Sequence, residues 1–365
     1  MAEETSATSH MSDIITATPD DVTHTTGEPV TSSWSRDTAV YFGCAVIVIG
    51  IVGTSANGFI LYALVASKQH KKHLLIFNQN VLDFASCIYL VITYALKISN
   101  MNLTGLVGYY LCMLFHSEAL LWSAVEGSVS NLIIISIERY VKVVHPIWSK
   151  NKLRNWMIYS SIALCWLFSF VYNMLTAFTT SAVVDGVCHG YIIWEDHVGK
   201  VVHGTLYFLW FYVLVLLICV MCYWRILVAI LRQARVMTGH NTGMTAQSTA
   251  AQAQAHHIQS NVIKTMILVC VFYAMAWLPM NIYYLMANLG GHLTFLDSGY
   301  YVVMFVAFLY VCMNPFIYAT KFEPVKKHLR RMLLCQKDDQ TSHTHTLQTT
   351  ATHTATRRTF QEHKF

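Results

Sequence analysis

Apolar residues in this chain run in long stretches that the charged residues do not interrupt. No Asp, Glu, Lys or Arg occurs between Asp37 and Lys68, between Arg154 and Asp185, or between Lys264 and Asp297. A helix needs about 20 mainly apolar residues to cross a bilayer, so each gap holds one crossing. Four further runs complete the set: about 74–97, carrying Asp83; about 108–137, carrying Glu118 and Glu126; about 201–224; and about 298–320, ending at Lys321. The pattern predicts an all-α integral membrane protein, a bundle of seven transmembrane helices over residues 37–321. Gly and Pro inside some runs are tolerated because neighbouring helices re-satisfy the freed backbone groups.

The flanking segments read differently. Residues 1–36 are rich in Thr and Ser, carry Glu3, Glu4, Asp13, Asp20, Asp21 and Glu28, and hold no basic residue before Arg36. Such a composition is expected to be a disordered tail. No basic segment followed by a short apolar one is visible in it, so the first span is expected to serve as the insertion signal. Residues 236–260, rich in Ala, Gln, Thr and His, read as a polar loop between spans five and six. In residues 322–335 the apolar Phe322, Val325, Leu329, Met332 and Leu333 can share a helical face, which suggests a short amphipathic helix on the membrane surface. Cys335 there is a candidate palmitoylation site. Residues 336–365 are low-complexity, and their Thr-His run reads as a solvated tail rather than a metal site.

Composition agrees. Only 12% of residues are charged, against about 25% in soluble proteins, which argues for one membrane-embedded domain. The ten cysteines lie mostly singly in apolar stretches, as small buried hydrophobes do. A net charge of +5 would fit a nucleic-acid partner, but its distribution does not. With the amino terminus outside, only Arg36, Lys97 and Lys200 of the 24 basic residues fall on outer segments, leaving 21 on the inner side. That asymmetry sets the expected orientation in the plasma membrane, with the carboxyl terminus cytoplasmic. Asn102-Leu103-Thr104 is then a glycosylation acceptor in an outer loop.

An ionisable group inside a bilayer is costly, and is by default a candidate functional site. Asp83 reads either as a hydrogen-bonded structural acid or, with Asn57, Ser128 and Asn314, as an oxygen-rich sodium site; no other cofactor is expected. Glu138-Arg139-Tyr140 closes the third apolar run, and Pro279 lies inside the sixth, where a missing N–H kinks the helix. Asn314-Pro315-Phe316-Ile317-Tyr318 places another proline in the seventh.

From Val40 to Cys335 the chain resembles a rhodopsin-like G-protein-coupled receptor. The residues that carry the resemblance are Asn57 on the first span, Leu82-Asp83 on the second, Glu138-Arg139-Tyr140 on the third with Pro146 seven positions after Arg139, Trp166 on the fourth, Tyr223 on the fifth, Ala276-Trp277-Leu278-Pro279 on the sixth and Asn314 to Tyr318 on the seventh. The resemblance implies a disulfide between Cys112 and Cys188 and a heterotrimeric G protein as partner. It further implies a switch in which Trp277 and Tyr273 report ligand binding to the Pro279 kink, and Arg139, Tyr223 and Tyr318 rearrange.

The departures are specific. The fifth span lacks the family's proline around Val213–Val220, which leaves its bulge open. Cys112 and Arg139 are 27 positions apart, about two more than usual, and counting from either anchor puts Ala119 or Leu121 where amine receptors carry an aspartate. Phe308 stands where opsins carry the retinal lysine. No acid occurs from Arg225 through Leu296, and Gln259 occupies the place where many members hold the acid that restrains the arginine. Arg139 is thus expected to pair with Glu138 and to bond Gln259, with a shallow resting state and some ligand-independent signalling.

Candidate ligand-pocket residues are His116, Glu118, Trp122, Glu126, His203, Trp277, Tyr283, Tyr284 and Tyr301. The acids Glu195 and Asp196, with the acidic tail, suit a cationic or peptide ligand; a peptide is the expected class, with an amine or a lipid as the alternative. Basic inner loops are expected to attract anionic lipid as well as the protein partner. A channel or transporter would call for an internal repeat, and none is seen. The chain contains no His-Glu-x-x-His or Gly-x-Ser-x-Gly, so enzymatic activity is not expected.

Overall fold

The computed structural model describes residues 31–190, 197–239, 246–290, 293, 298–321 and 326, with side chains described over 37–190, 197–233, 260–290, 293, 298–320 and 326. Seven of its helices are long and apolar enough to cross a membrane: Asp37–Ala66, Leu74–Ser99, Gly105–Val144, Asn155–Thr180, His197–Gln233, Ser260–Asn288 and Ser298–Thr320. They are called here the first to seventh spans. The third is the most buried and the fourth turns Trp156, Tyr159, Leu167 and Leu175 outward, as a bundle in lipid requires.

Several helices outrun the apolar stretches that predict them. The first helix begins at Thr31, inside the segment read as a tail ending at residue 36, and follows closely on Pro29, a residue that a helix tolerates only in its first turn. The helix of the fifth span continues to Gly239 and that of the sixth begins at Ala246, so most of 236–260 is helical rather than loop. The Ala and Gln of this segment are good helix formers in water, and hydropathy does not register them. The surface helix expected at 322–335, with Cys335, lies outside the described residues apart from Lys326, and so do Glu195 and Asp196.

Two spans contain a wide turn. In the third, residues Cys112–His116 form a five-residue turn of π type, after which Glu118 adopts a left-handed backbone (φ 63°) before the helix resumes at Ala119. A π turn takes one residue more than an α turn. Together with the break at Ser117–Glu118 it takes up the surplus spacing between Cys112 and Arg139. In the fifth span, Leu209–Val213 forms a second π turn, so the bulge exists without a proline. Two tyrosine hydroxyls tie it to the sixth span: Tyr273 donates to the Phe211 carbonyl, and Tyr212 donates to the Ala274 carbonyl at 2.9 Å. Pro279 and Pro315 lie inside the sixth and seventh helices.

At the end of the bundle carrying Cys112, a short antiparallel hairpin of β1 (Ala182–Val184) and β2 (Val187–His189) is bonded by a Cys112–Cys188 disulfide to the third span. Its tight turn requires Gly186 (φ 77°), where a Cβ would strike the Asn102 side chain. The opposite end carries Arg139 and the short helix Pro146–Lys152.

Candidate transmembrane switch and outer aromatic cluster

A buried chain of polar side chains crosses the bundle. Trp166 Nε1 donates to Asn78 Oδ1 (3.0 Å), Asn78 donates to Asn131 Oδ1 (3.0 Å), and Asn131 donates to Gln79 Oε1 (2.8 Å). The Gln79 amide donates to Ser128 and, at 3.4 Å, to Asp83; Ser128 donates to Asp83 Oδ1 (2.6 Å) and Asn314 to Asp83 Oδ2 (2.9 Å). Asp83, Ser128 and Asn314 thus meet. Asn57 does not join them: its amide donates to the Gly53 carbonyl (3.0 Å) and approaches Cys87 Sγ (3.8 Å). Its amide is taken up one turn back on its own helix and by the thiol that packs on Gly53, where a Cβ would lie 2.6 Å from Cys87 Sγ. Asn78, Gln79 and Asn131 belong to no short motif; the sequence signal for them is a polar side chain in an apolar run, with Gln79 and Asn131 about one helical turn from Asp83 and Ser128.

At the Arg139 end, Glu138 is buried between Arg139 (3.0 Å) and Lys142 (2.5 Å). Tyr140 and His145 are bonded at 3.2 Å, and Ser136 Oγ lies 3.4 Å from the Tyr223 hydroxyl. Gln259 is on the sixth helix, but its side chain lies outside the described residues. His73, just ahead of the second span, faces this site; burial and the nearby Arg139 charge push its pKa down to about 4.

At the disulfide end, the candidate pocket residues divide into two clusters. Glu118 receives Lys97 on Oε1 together with the Tyr94 hydroxyl (3.1 Å), and the Trp122 indole N–H on Oε2 (2.9 Å). Trp122 lies 6.1 Å, ring to ring, from Trp277. Tyr301 joins through Phe42 (4.8 Å) to Tyr94, and Tyr283 and Tyr301 flank Tyr300. His116 is half-buried and close enough to feel the Lys97 charge. The second cluster lies between spans three to six. Glu126 accepts from Asn173 (2.7 Å), with Tyr207 beside it, and His203 is bonded on its two ring nitrogens to Tyr172 (3.1 Å) and Tyr284 (3.2 Å). No short motif marks Lys97, Asn173, Tyr172 or Tyr207; each answers the need of an intramembrane acid or histidine for partners.

Pro279 removes one backbone bond between these two ends of the sixth helix. Asn281 donates its side-chain amide to the Trp277 carbonyl (2.9 Å), and Trp277 Nε1, buried, has no partner among the described residues. Such an under-bonded ring at a kink can change packing at low cost.

Comparison with known proteins places this geometry. The chain is 23% identical over 333 residues to the allatostatin-A receptor of Bombyx mori, covering 85% of this chain and 82% of that protein. It is 24% identical over 342 residues to the human neuropeptide Y receptor type 4-2, covering 83% and 82%. The crystal structure of squid rhodopsin shares the fold, with a TM-score of 0.68 at 18% identity over 88% of this chain and 94% of that one. The family model for the 7 transmembrane receptor (rhodopsin family) matches residues 56–318. The chain belongs to the rhodopsin family of seven-transmembrane receptors.

Proposed function

We propose that this receptor sits in the plasma membrane with its disulfide end outside and transduces a peptide into activation of a heterotrimeric G protein. One observation carries the mechanism: the Trp122–Trp277 ring contact joins the outer Glu118 cluster to the kinked sixth helix. A ligand that binds one packing of the outer cluster better than the other shifts the population by that difference in affinity. The shift passes through Trp277 and Tyr273 to Pro279, and the Arg139 end of the sixth helix moves away from the third. Arg139, Tyr223 and Tyr318 then rearrange and admit the partner. The peptide class is supported by the neuropeptide Y receptor among the relatives and by the acidic Glu195, Asp196 and amino-terminal tail.

Asp83, Ser128 and Asn314 are the residues that would hold a sodium ion, and the buried Asn314 Oδ1, which has no donor among the described residues, is an acceptor available to it. A bound cation would supply charge compensation to Asp83. The Gln79 amide, already donating there, would have to turn away. Asn102 is exposed beside the hairpin and available for glycosylation, and palmitate on Cys335 would hold the tail to the inner leaflet.

The test is guanine-nucleotide exchange in membranes with and without the expressed chain, with peptide, amine and lipid libraries on several G-protein reporters. Exchange stimulated by a peptide supports the reading; a response only to amines or lipids overturns the ligand class. Conductance without exchange would replace the receptor with a channel.

A further inference from the structure

The Lys97–Glu118 pair is unusual in its placement. Glu118 is 7% exposed, while the Lys97 side chain is 34% exposed and sits two residues from the end of the second span. The carboxylate is held from several sides, by the Tyr94 hydroxyl and the Trp122 indole as well as by Lys97, and Glu118 itself takes a left-handed backbone at the break in the third span. One aromatic face meets the ammonium, Lys97 Nζ lying 5.1 Å from the centre of the Tyr94 ring, and the carboxylate's other ring partner, Trp122, is linked to Tyr94 through Phe308 (6.4 and 6.0 Å). A carboxylate among such rings is the chemistry that receives organic cations.

We propose that Glu118 is the docking point for a cationic group of the ligand, an ammonium or guanidinium of a peptide, and that Lys97 holds this place until the ligand displaces it. The exchange is cation for cation, so the buried carboxylate is never left bare, whereas an anion that drew Lys97 away would leave an unpaired buried charge. Lys97 has a long stem and a partly exposed side chain in the last turn of its span, so it can leave; Glu118, buried, cannot. The incoming group meets Trp122 through the same carboxylate, one ring contact from Trp277. This deepens the receptor reading and rests on it for its consequence, though not for its test.

The test uses the purified full-length chain and its thermal midpoint with n-butylammonium chloride, against n-butanol and against sodium chloride of equal ionic strength. Binding to the native state alone raises the midpoint. In Lys97→Ala, n-butylammonium is expected to raise it by about 2 °C or more. In the wild type it is expected to do so only at higher concentration, because Lys97 must first be displaced. No such rise is expected from n-butanol, or from n-butylammonium on Lys97→Ala/Glu118→Gln. No rise in Lys97→Ala, or an equal rise with n-butanol or in the double variant, overturns the proposal. Lys97→Met, which keeps the apolar stem, serves if Lys97→Ala does not survive extraction. A rise in a chain that drives no nucleotide exchange would leave the site standing and remove the receptor reading; no rise in a chain that does drive exchange removes the site alone.

Discussion

Glu138 shows how much one side chain can decide. It takes both Arg139 and Lys142, and no acid from the sixth helix is available in the sequence to hold Arg139 from the other side. The pair that restrains Arg139 is therefore local to one helix and does not bind the third span to the sixth. Basal exchange by the wild-type chain is expected to exceed that of Arg139→Ala in the same cells; equal values would contradict this. At Asp83 the Gln79 amide competes with any cation for the same oxygens. Removing it in Gln79→Leu is expected to increase the sodium sensitivity of basal exchange, read as the difference between sodium and N-methylglucamine buffers; an unchanged difference would mean that no ion uses the site. Residues in short motifs, Arg139, Trp277 and Asn314 among them, were legible in the sequence because local order defines them. The Lys97–Glu118 pair was not, because the break at Ser117–Glu118 changes the face on which Glu118 emerges, and no periodicity carries across it.

Among the elements, the fifth span departs furthest from its family pattern. Its missing proline left the bulge open, and the wide turn is held instead by hydroxyls from Tyr212 and Tyr273, which are far apart in the chain. Each bond is worth about 1 kcal/mol. Tyr212→Phe and Tyr273→Phe are expected to lower the thermal midpoint individually, and the double variant by less or more than the sum because the two share one interface. Strict additivity would indicate that the tyrosines act apart from the turn. The spans themselves were legible because hydrocarbon thickness imposes a length on any apolar helix. Their extensions to Gly239 and from Ala246 were not, since helix formation in water leaves no apolar signature.

For the whole molecule, stability and switching meet at the Arg139 end. His73 is kept neutral there by burial and by Arg139, with a pKa of about 4 against 6.5 when unfolded. Its contribution is complete above pH 6.5 and is lost as pH falls from 6.5 towards 4, because the unfolded chain then binds the additional proton. In His73→Gln the fall in thermal midpoint across that window is expected to be smaller than in the wild type; an identical fall would assign the pH dependence elsewhere. Movement of the sixth span at the Arg139 end is readable as a distance. Spin labels at Asn155 and Lys264, both exposed, with Cys44 and Cys335 replaced by Ser, report the separation of the fourth and sixth spans at the Arg139 end. A second, longer distance is expected to appear with an activating ligand and nucleotide-free heterotrimer, and to be lost on adding guanine nucleotide. A single distribution, unchanged under every stimulus and with the heterotrimer bound, would contradict the account.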